Sequence, residues 1–333
     1  DLNRRGSRVG HVVGAECFDV GFRFNEGDGN VGYWWPQGIT GTADAFDDNR
    51  VEGEAVAIVS WHHDPDDDPS TDTDKGARLS FIRTTGLEEL DYRNMLLVEP
   101  VRDPEGRADF APVRSHVGGI VWYGRWLYTA DTRRGFKVFD MHRILRVRTG
   151  DRGALGFRAD RDEFHAYNYK YAVPLVERYA LCETSCCARF SFVSLDRTTD
   201  PPSLLAGEYT DVNHDGRLHR WPLDPDSGLL AEIDGAVNAT DLLWPNALRM
   251  QGAASVDGVY YVSSSDPHGG LSPAPGTLYR AVPGGETTQR GFPAFPEDLH
   301  YSASSDRLWS VSEWPRMRYV FAVDRSDIDE RCD

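Results

Sequence analysis

Pro36-Gln37-Gly38-Ile39-Thr40 opens a short apolar run on a polar residue, and openings of the same kind return four times. They are Ser115-His116-Val117-Gly118-Gly119-Ile120, Arg189-Phe190-Ser191-Phe192-Val193, Met250-Gln251-Gly252-Ala253 and Pro296-Glu297-Asp298-Leu299. After a turn, each is followed by a run rich in β-branched or aromatic residues: Ala55 to Ser60, Trp126 to Ala130, Ser203 to Gly207, Val259 to Ser263 and Arg307 to Val311. A polar loop and a third run complete each unit. Runs this short, bounded by Gly, Pro and Asp, are strands. One such unit cannot bury both of its faces, whereas units packed radially bury them against their neighbours, so the repeat implies a closed ring. Five copies predict an all-β, five-bladed β-propeller. The steps between Gln37, His116, Arg189, Gln251 and Glu297 are 79, 73, 62 and 46 residues, an inequality expected where loops on one face carry insertions. Glu163 to Pro174, with Tyr167, Tyr169 and Tyr171 alternating, reads as the outer strand of the second blade and leaves little room for a sixth.

The 333 residues are read as a single domain, 1–333, because ring-shaped all-β folds reach this length without splitting. Residues 1–33 form an arm whose stretch Ala15 to Phe24 is expected to join the C-terminal blade beside Ser310 to Val323, closing the ring. The 32 Gly and 19 Pro break the chain too often for long helices, and the clearest helical candidate is Met141 to Val147. A net charge of −17 repels nucleic acid and anionic membrane surfaces. No run of apolar residues is long enough to span a bilayer. Cys17 and Cys332 lie near the two ends, where a disulfide would lock the ring, while Cys182, Cys186 and Cys187 crowd one loop. Adjacent cysteines are a poor tetrahedral pair for zinc, and a local disulfide suits them better. This usage favours an oxidising, extracellular setting, a leader already removed, and a monomer.

In a propeller, the starts of the innermost strands and the ends of the second strands share one channel mouth. Alignment of the repeats brings Gln37, His116, Arg189, Gln251, Glu297 and Asp298 there from the first set. From the second set it brings Trp61 with His62, Asp131, Glu208, Ser264 with Ser265, and Glu313. Paired carboxylates raise one another's pKa and an imidazole titrates near neutrality, so this set suits proton transfer to a polar ligand. The catalytic candidates are His116, Asp131, Glu297 and Glu313. Gln37, Arg133, Arg189, Glu208, Gln251 and Asp298 are the candidates for substrate binding. A one-residue slip would turn any of them to the other side of its strand.

Asp211-Val212-Asn213-His214-Asp215-Gly216 has the D-x-N-x-D-G form that wraps calcium. Asp211, Asn213 and Asp215 are therefore candidate ligands for a structural ion. The twelfth position, Pro222, cannot supply the usual bidentate glutamate, so a plain hairpin turn explains the segment equally. His62 to Asp74 is an acidic loop, read as a solvated hairpin in preference to a weak cation site. Gly27-Asp28-Gly29-Asn30-Val31-Gly32 matches G-x-G-x-x-G without the strand-loop-helix context that a dinucleotide needs. A nucleophile elbow, H-E-x-x-H and a P-loop are missing.

Laid out in this way, the chain resembles a group of secreted β-propeller proteins from actinobacteria. The resemblance is carried by Trp35-Pro36-Gln37-Gly38-Ile39-Thr40, His116 to Gly124, Phe192 to Thr198, Arg220-Trp221-Pro222-Leu223-Asp224, Met250-Gln251-Gly252-Ala253 and Pro296-Glu297-Asp298-Leu299. It implies fold and secretion, and delivers no reaction. The blade openings are more distantly similar to those of phytase-like and lactonase-like propellers and of five-bladed glutaminyl cyclases, which work at a channel mouth. The expectation is a hydrolase or lyase acting on a polar extracellular substrate such as a carbohydrate, small or polymeric. The alternative is a non-catalytic propeller that binds a glycan, peptide or protein through the same face.

Overall fold

The computed structural model describes residues 2–86, 90–181, 188–211, 213–266 and 274–330. Its strands form five antiparallel meanders of four, each running from an inner to an outer strand. The first sheet comprises Trp34–Gly41, Val56–His63, Ala77–Arg83 and Asp91–Arg102. The second is Ile120–Tyr123, Trp126–Asp131, Gly135–Asp140 and Tyr171–Tyr179. The third is Phe190–Asp196, Ser203–Glu208, Leu218–Pro222 and Asp241–Leu243, and the fourth Met250–Val256, Val259–Ser264, Gly276–Ala281 and Thr287–Phe292. Pro296–Ser302, Arg307–Ser312 and Tyr319–Asp324 make the fifth, whose outer strand is Phe18–Arg23, paired Tyr319 to Arg23 and Phe321 to Gly21.

Each inner strand lies against the next: first on second, second on third, third on fourth, fourth on fifth, and fifth back on first. Glycine makes that approach possible. A Cβ on Gly119 would sit 2.1 Å from the Val193 nitrogen, and one on Gly252 would sit 2.5 Å from the Asp298 Cα. The outer strands of the first two sheets also join in parallel, Ala172 to Leu96 and Pro174 to Val98. Between sheets the core is divided into separate apolar clusters, and the one joining the first and fifth sheets is rich in aromatic rings. Trp61, fully buried, meets Phe24 edge-on at 4.8 Å, and Phe24 meets Tyr92 at 5.3 Å, contacts that add about 0.5–1.5 kcal/mol each beyond their buried area.

Two expectations about local structure change. Met141 to Val147 does not form an α-helix: Asp140 accepts from the His142 N–H to close a single 3-10 turn, Met141–Arg143, after which Leu145–Arg146 pairs with the outer strand of the second sheet. Glu163 to Pro174 is not one strand either. Glu163–Ala166 forms a separate hairpin with Leu155–Arg158, Tyr167 and Asn168 turn the chain with φ of 46° and 69°, and the outer strand begins at Tyr171. Cys17 is disulfide-bonded. The other four cysteines, 182, 186, 187 and 332, lie outside the described residues.

Candidate functional site

Inner-strand pairing is interrupted at the opening of four sheets. The register shifts between Pro36 and Ile39, between Phe190 and Phe192, between Met250 and Gly252, and between Pro296 and Leu299. The residues left over are Gln37 with Gly38, Ser191, Gln251, and Glu297 with Asp298. Such bulges take a residue out of the ladder and re-aim its side chain. In the second sheet regular pairing starts only at Ile120, and Val117 turns the chain at φ 48° immediately after His116. Ser191 is therefore the third-sheet counterpart of Gln37. Arg189, expected in that place, is exposed, and its backbone N–H donates to Glu208 Oε1 at 3.2 Å.

The second strands explain which carboxylates reach the mouth. Trp61 stands opposite Pro36, Glu208 opposite Phe190, and Ser312 opposite Pro296. In the second sheet Thr129 pairs with Ile120 as Val59 pairs with Ile39, so Asp131, two residues on, matches Trp61. Successive side chains alternate between faces, which sets Trp61, Asp131 and Glu208 against His62 and Glu313. Trp61 is buried and donates Nε1–H to Ser80 Oγ at 2.8 Å. Asp131 ion-pairs with Lys137 of the neighbouring strand. Glu208 receives Arg217 through both oxygens at 2.6 Å. Burial alone would raise the Glu208 pKa, but the nearby His219 ring, 3.8 Å away, and the hydrogen bonds from Arg217 overcome it and bring the value to about 2. Asp131 and Glu208 are thus engaged within their own sheets.

What the mouth gathers is a connected set of Gln37, His62, His116, Glu297, Glu313 and Arg318. Gln37 Nε2 donates to Glu313 Oε1 at 2.8 Å. The His62 and His116 rings lie 4.3 Å apart, tilted by 36°. Arg318 is fully buried between the rings of Trp35 and Trp61, at 5.3 and 5.6 Å. Its Nε donates to the Glu313 carbonyl, one terminal nitrogen donates to the carbonyls of Asp28 and Val31, and the other has no partner among the described residues. Trp314, exposed, leans on Trp35 at 5.5 Å and stacks on Phe295 at 4.9 Å, forming an aromatic step on the rim.

Electrostatics set the protonation of this group. Burial, then the nearby Glu313 and Asp298 charges, push the Glu297 carboxyl well above its ordinary value. Burial also raises Glu313, with the Gln37 hydrogen bond and the Arg318 charge pulling it partly back. Burial lowers His116, while burial followed by His116, His63 and Arg318 holds His62 down to about 3. These shifts favour the uncharged form of the His62 and His116 imidazoles and the protonated form of the Glu297 and Glu313 carboxyls. Asp298 is fully buried, and its Oδ2 accepts the backbone N–H groups of Ile39 at 3.2 Å and Ile120 at 3.3 Å, tying three inner strands together.

The remaining candidates are dispersed. Gln251 occupies the bulge of the fourth sheet, half-buried, and Arg133 is exposed in a turn. Asp211, Asn213 and Asp215 are exposed in the loop after Ser203–Glu208, where Thr210 Oγ1 donates to the Asn213 carbonyl at 2.7 Å; Val212 lies outside the described residues. Among the described residues, no group of three or more His, Cys, Asp and Glu is arranged to hold a metal. The acidic loop is organised from within: buried Asp68 accepts from Lys75 Nζ at 2.7 Å and lies 3.0 Å from His63 Nε2. The glycine-rich segment forms one helical turn, Glu26–Gly29, whose buried Asp28 receives Arg4, Arg78 and the Tyr92 hydroxyl. Sequence reasoning missed Ser191 and Arg318. A closer register at Phe190 would have found the first, but nothing local separates Arg318 from Arg316.

No family model and no curated protein sequence matches the chain. Among solved structures it is similar to a β-propeller domain of Myceliophteria thermophila Cps50 (Swd1), at 8% identity over 80% of this chain and 92% of that one, TM-score 0.38. It is similar to a putative 6-phosphogluconolactonase from Bacteroides uniformis at 12% identity, covering 93% and 89%, TM-score 0.38. It is also similar to a GH43_1 enzyme from Xanthomonas citri at 10% identity, covering 88% of each chain, TM-score 0.37. Likeness this distant does not bear on activity.

Proposed function

We propose that the chain is a five-bladed β-propeller closed by its N-terminal strand, and that its channel mouth is the active site of a hydrolase or lyase for polar, carbohydrate-like substrates. One observation carries this reading: the mutually repelling Glu297 and Glu313 carboxyls and the paired His62 and His116 rings gather where the inner-strand openings meet the second-strand ends, His62 and Glu313 both feeling the Arg318 charge. Separated acid and base of this kind are what proton-transfer catalysis at neutral pH requires. Glu313, the more accessible of the two glutamates, gives its proton to the departing oxygen as the bond to carbon breaks. His116, which reaches solvent at the mouth while the packed walls around its ring disfavour the charged form, takes a proton from the attacking water, or from carbon in an elimination. Glu297 lies deeper, and its charge would oppose that of Glu313, so the pair keeps a proton available. Gln37 orients Glu313, and Arg318 supplies fixed positive charge behind it.

The ring of inner-strand contacts and the pairing of Phe18–Arg23 with Tyr319–Asp324 support the propeller reading. A Cys17–Cys332 disulfide, a secreted monomer and a calcium ion at Asp211, Asn213 and Asp215 belong to the same proposal. A second reading, glycan binding without turnover, is favoured by the Trp35, Trp314 and Phe295 step, since exposed aromatic faces stack on sugar rings.

Incubation of the purified protein with neutral and acidic polysaccharides, scored for new reducing ends and for unsaturated products, separates the two. The catalytic reading expects turnover that falls at least about a hundredfold in His116→Ala and in Glu313→Gln while both variants keep the wild-type melting temperature. A glycan that binds at the rim and is never cleaved would favour the second reading.

A further inference from the structure

A cleft of about 1020 Å³, lined by none of Gln37, His62, His116, Glu297 and Glu313, lies between the N-terminal arm, the first sheet and the loops around residues 149–153 and 167–170. Its charge is opposite to that of the molecule. Six cations line it, Arg4, Lys75, Arg78, Arg93, Arg152 and Lys170, against one carboxylate, Asp28, in a chain of net charge −17. Asp28 is already shared by Arg4 at 3.0 Å and Arg78 at 2.9 Å, and Lys75 holds Asp68 at 2.7 Å. The Arg78 Nε is buried without a hydrogen-bond partner among the described residues. Burial and the Arg4 charge both work against the Arg93 cation, with Tyr171 opposing them. Low-dielectric walls lined by one sign of charge concentrate field lines on a counter-ion.

The walls between the cations are of a second kind. Tyr33, Tyr167 and Tyr169 present aromatic rings, while Ser70, Thr73 and Asn168 present hydroxyl and amide groups. Rings stack on the apolar faces of sugars, and such polar groups satisfy their hydroxyls. The volume is that of an organic ligand site and exceeds what a single inorganic anion needs. We propose that this cleft binds an anionic oligosaccharide, one carrying carboxylate or sulfate groups. The assignment of the cleft does not require any reaction at the mouth.

Titration calorimetry on the whole protein, with trigalacturonate, xylotriose and inorganic sulfate as probes, tests this. Arg152→Glu and Lys170→Glu reverse two charges of the cleft, and Arg50→Glu, exposed on a different loop, is the control. Trigalacturonate is expected to bind more tightly than xylotriose and to weaken as salt is raised. It should lose about tenfold or more in each cleft variant and nothing in the control. Arg152 is exposed, so its reversal leaves the fold intact, which an unchanged melting temperature verifies. Equal affinity for trigalacturonate and xylotriose would overturn the proposal. So would binding that survives both reversals, while sulfate binding as tightly as trigalacturonate would overturn the saccharide assignment.

Discussion

Replacing Asp28 by Asn removes one charge from the pin that holds the N-terminal arm, the first sheet and the mouth together. The side chain is buried and accepts from Arg4, Arg78, Tyr92 and Asn94, while its carbonyl receives Arg318. Asn keeps one oxygen for the Tyr92 hydroxyl but sets an NH2 group against the donors on the other side, so the change removes the charge and one acceptor together. Arg78, itself buried and packed over Trp34 at 4.3 Å and Trp61 at 4.6 Å, is then left uncompensated, which costs about 3–5 kcal/mol. With an unfolding entropy of roughly 2.1 cal/mol/K per residue, a chain of this length has about 0.7 kcal/mol/K in all, so the melting temperature should fall by about 4–7 °C. The double variant Asp28→Asn/Arg78→Met, which removes both charges, should recover most of that loss. Burial raises the Asp28 pKa, but Arg78, Arg4 and the Tyr92 hydroxyl reverse this and leave it lowered. The folded pKa thus lies below the unfolded one, and the contribution is full above about pH 3.9. It disappears as pH falls through the folded value. Thermal unfolding of the three proteins between pH 3 and pH 8 reads all of this. A loss below about 1 kcal/mol at pH 7, or no recovery in the double variant, would refute the reasoning.

Other outcomes follow from the same contacts. Glu297→Gln cannot ionise, whereas wild-type Glu297 has a raised folded pKa; the unfolded chain releases its proton first, and wild-type stability falls from about pH 4.3 up to the folded pKa. The variant should therefore gain on wild type by up to about 1.4 kcal/mol per pH unit over that window, and parallel stability curves in urea would exclude a protonated Glu297. Gly119→Ala, forcing a Cβ to 2.1 Å from a backbone nitrogen, should cost at least about 1–3 kcal/mol, with a near-normal denaturation midpoint counting against the tight inner ring. Trp314→Ala should weaken glycan binding at the rim, by about 1 kcal/mol for a lost stacking ring, and leave stability within about 0.5 kcal/mol of wild type; equilibrium titration checks both parts.

Strand order was legible because it is written locally. Four expected openings and all five second strands overlap observed strands, and the other opening is irregular up to Gly119 with its strand starting at Ile120, since β-branched and aromatic runs between Gly and Asp turns need no distant partner to be recognised. Where the reading slipped, tertiary structure decided. Tyr167 and Asn168 look like strand residues until a left-handed turn is required there to send Ala172 alongside Leu96. Asp131 and Glu208 differ from Glu313 by a single register step, visible only once the bulge at each opening is known. His62 and Glu313 survive because they fall one residue beyond the Trp61 position, and Arg318 enters the site by packing between Trp35 and Trp61, a contact no spacing announces.

Proton transfer at the mouth depends on a protonated glutamate beside neutral imidazoles. Infrared difference spectroscopy of wild type against Glu297→Gln, recorded from pH 5 to pH 8, observes that proton directly. A protonated-carboxyl carbonyl band, present in wild type at pH 7 and lost in the variant, is expected. A difference spectrum at pH 7 that contains only ionised-carboxylate bands would contradict it.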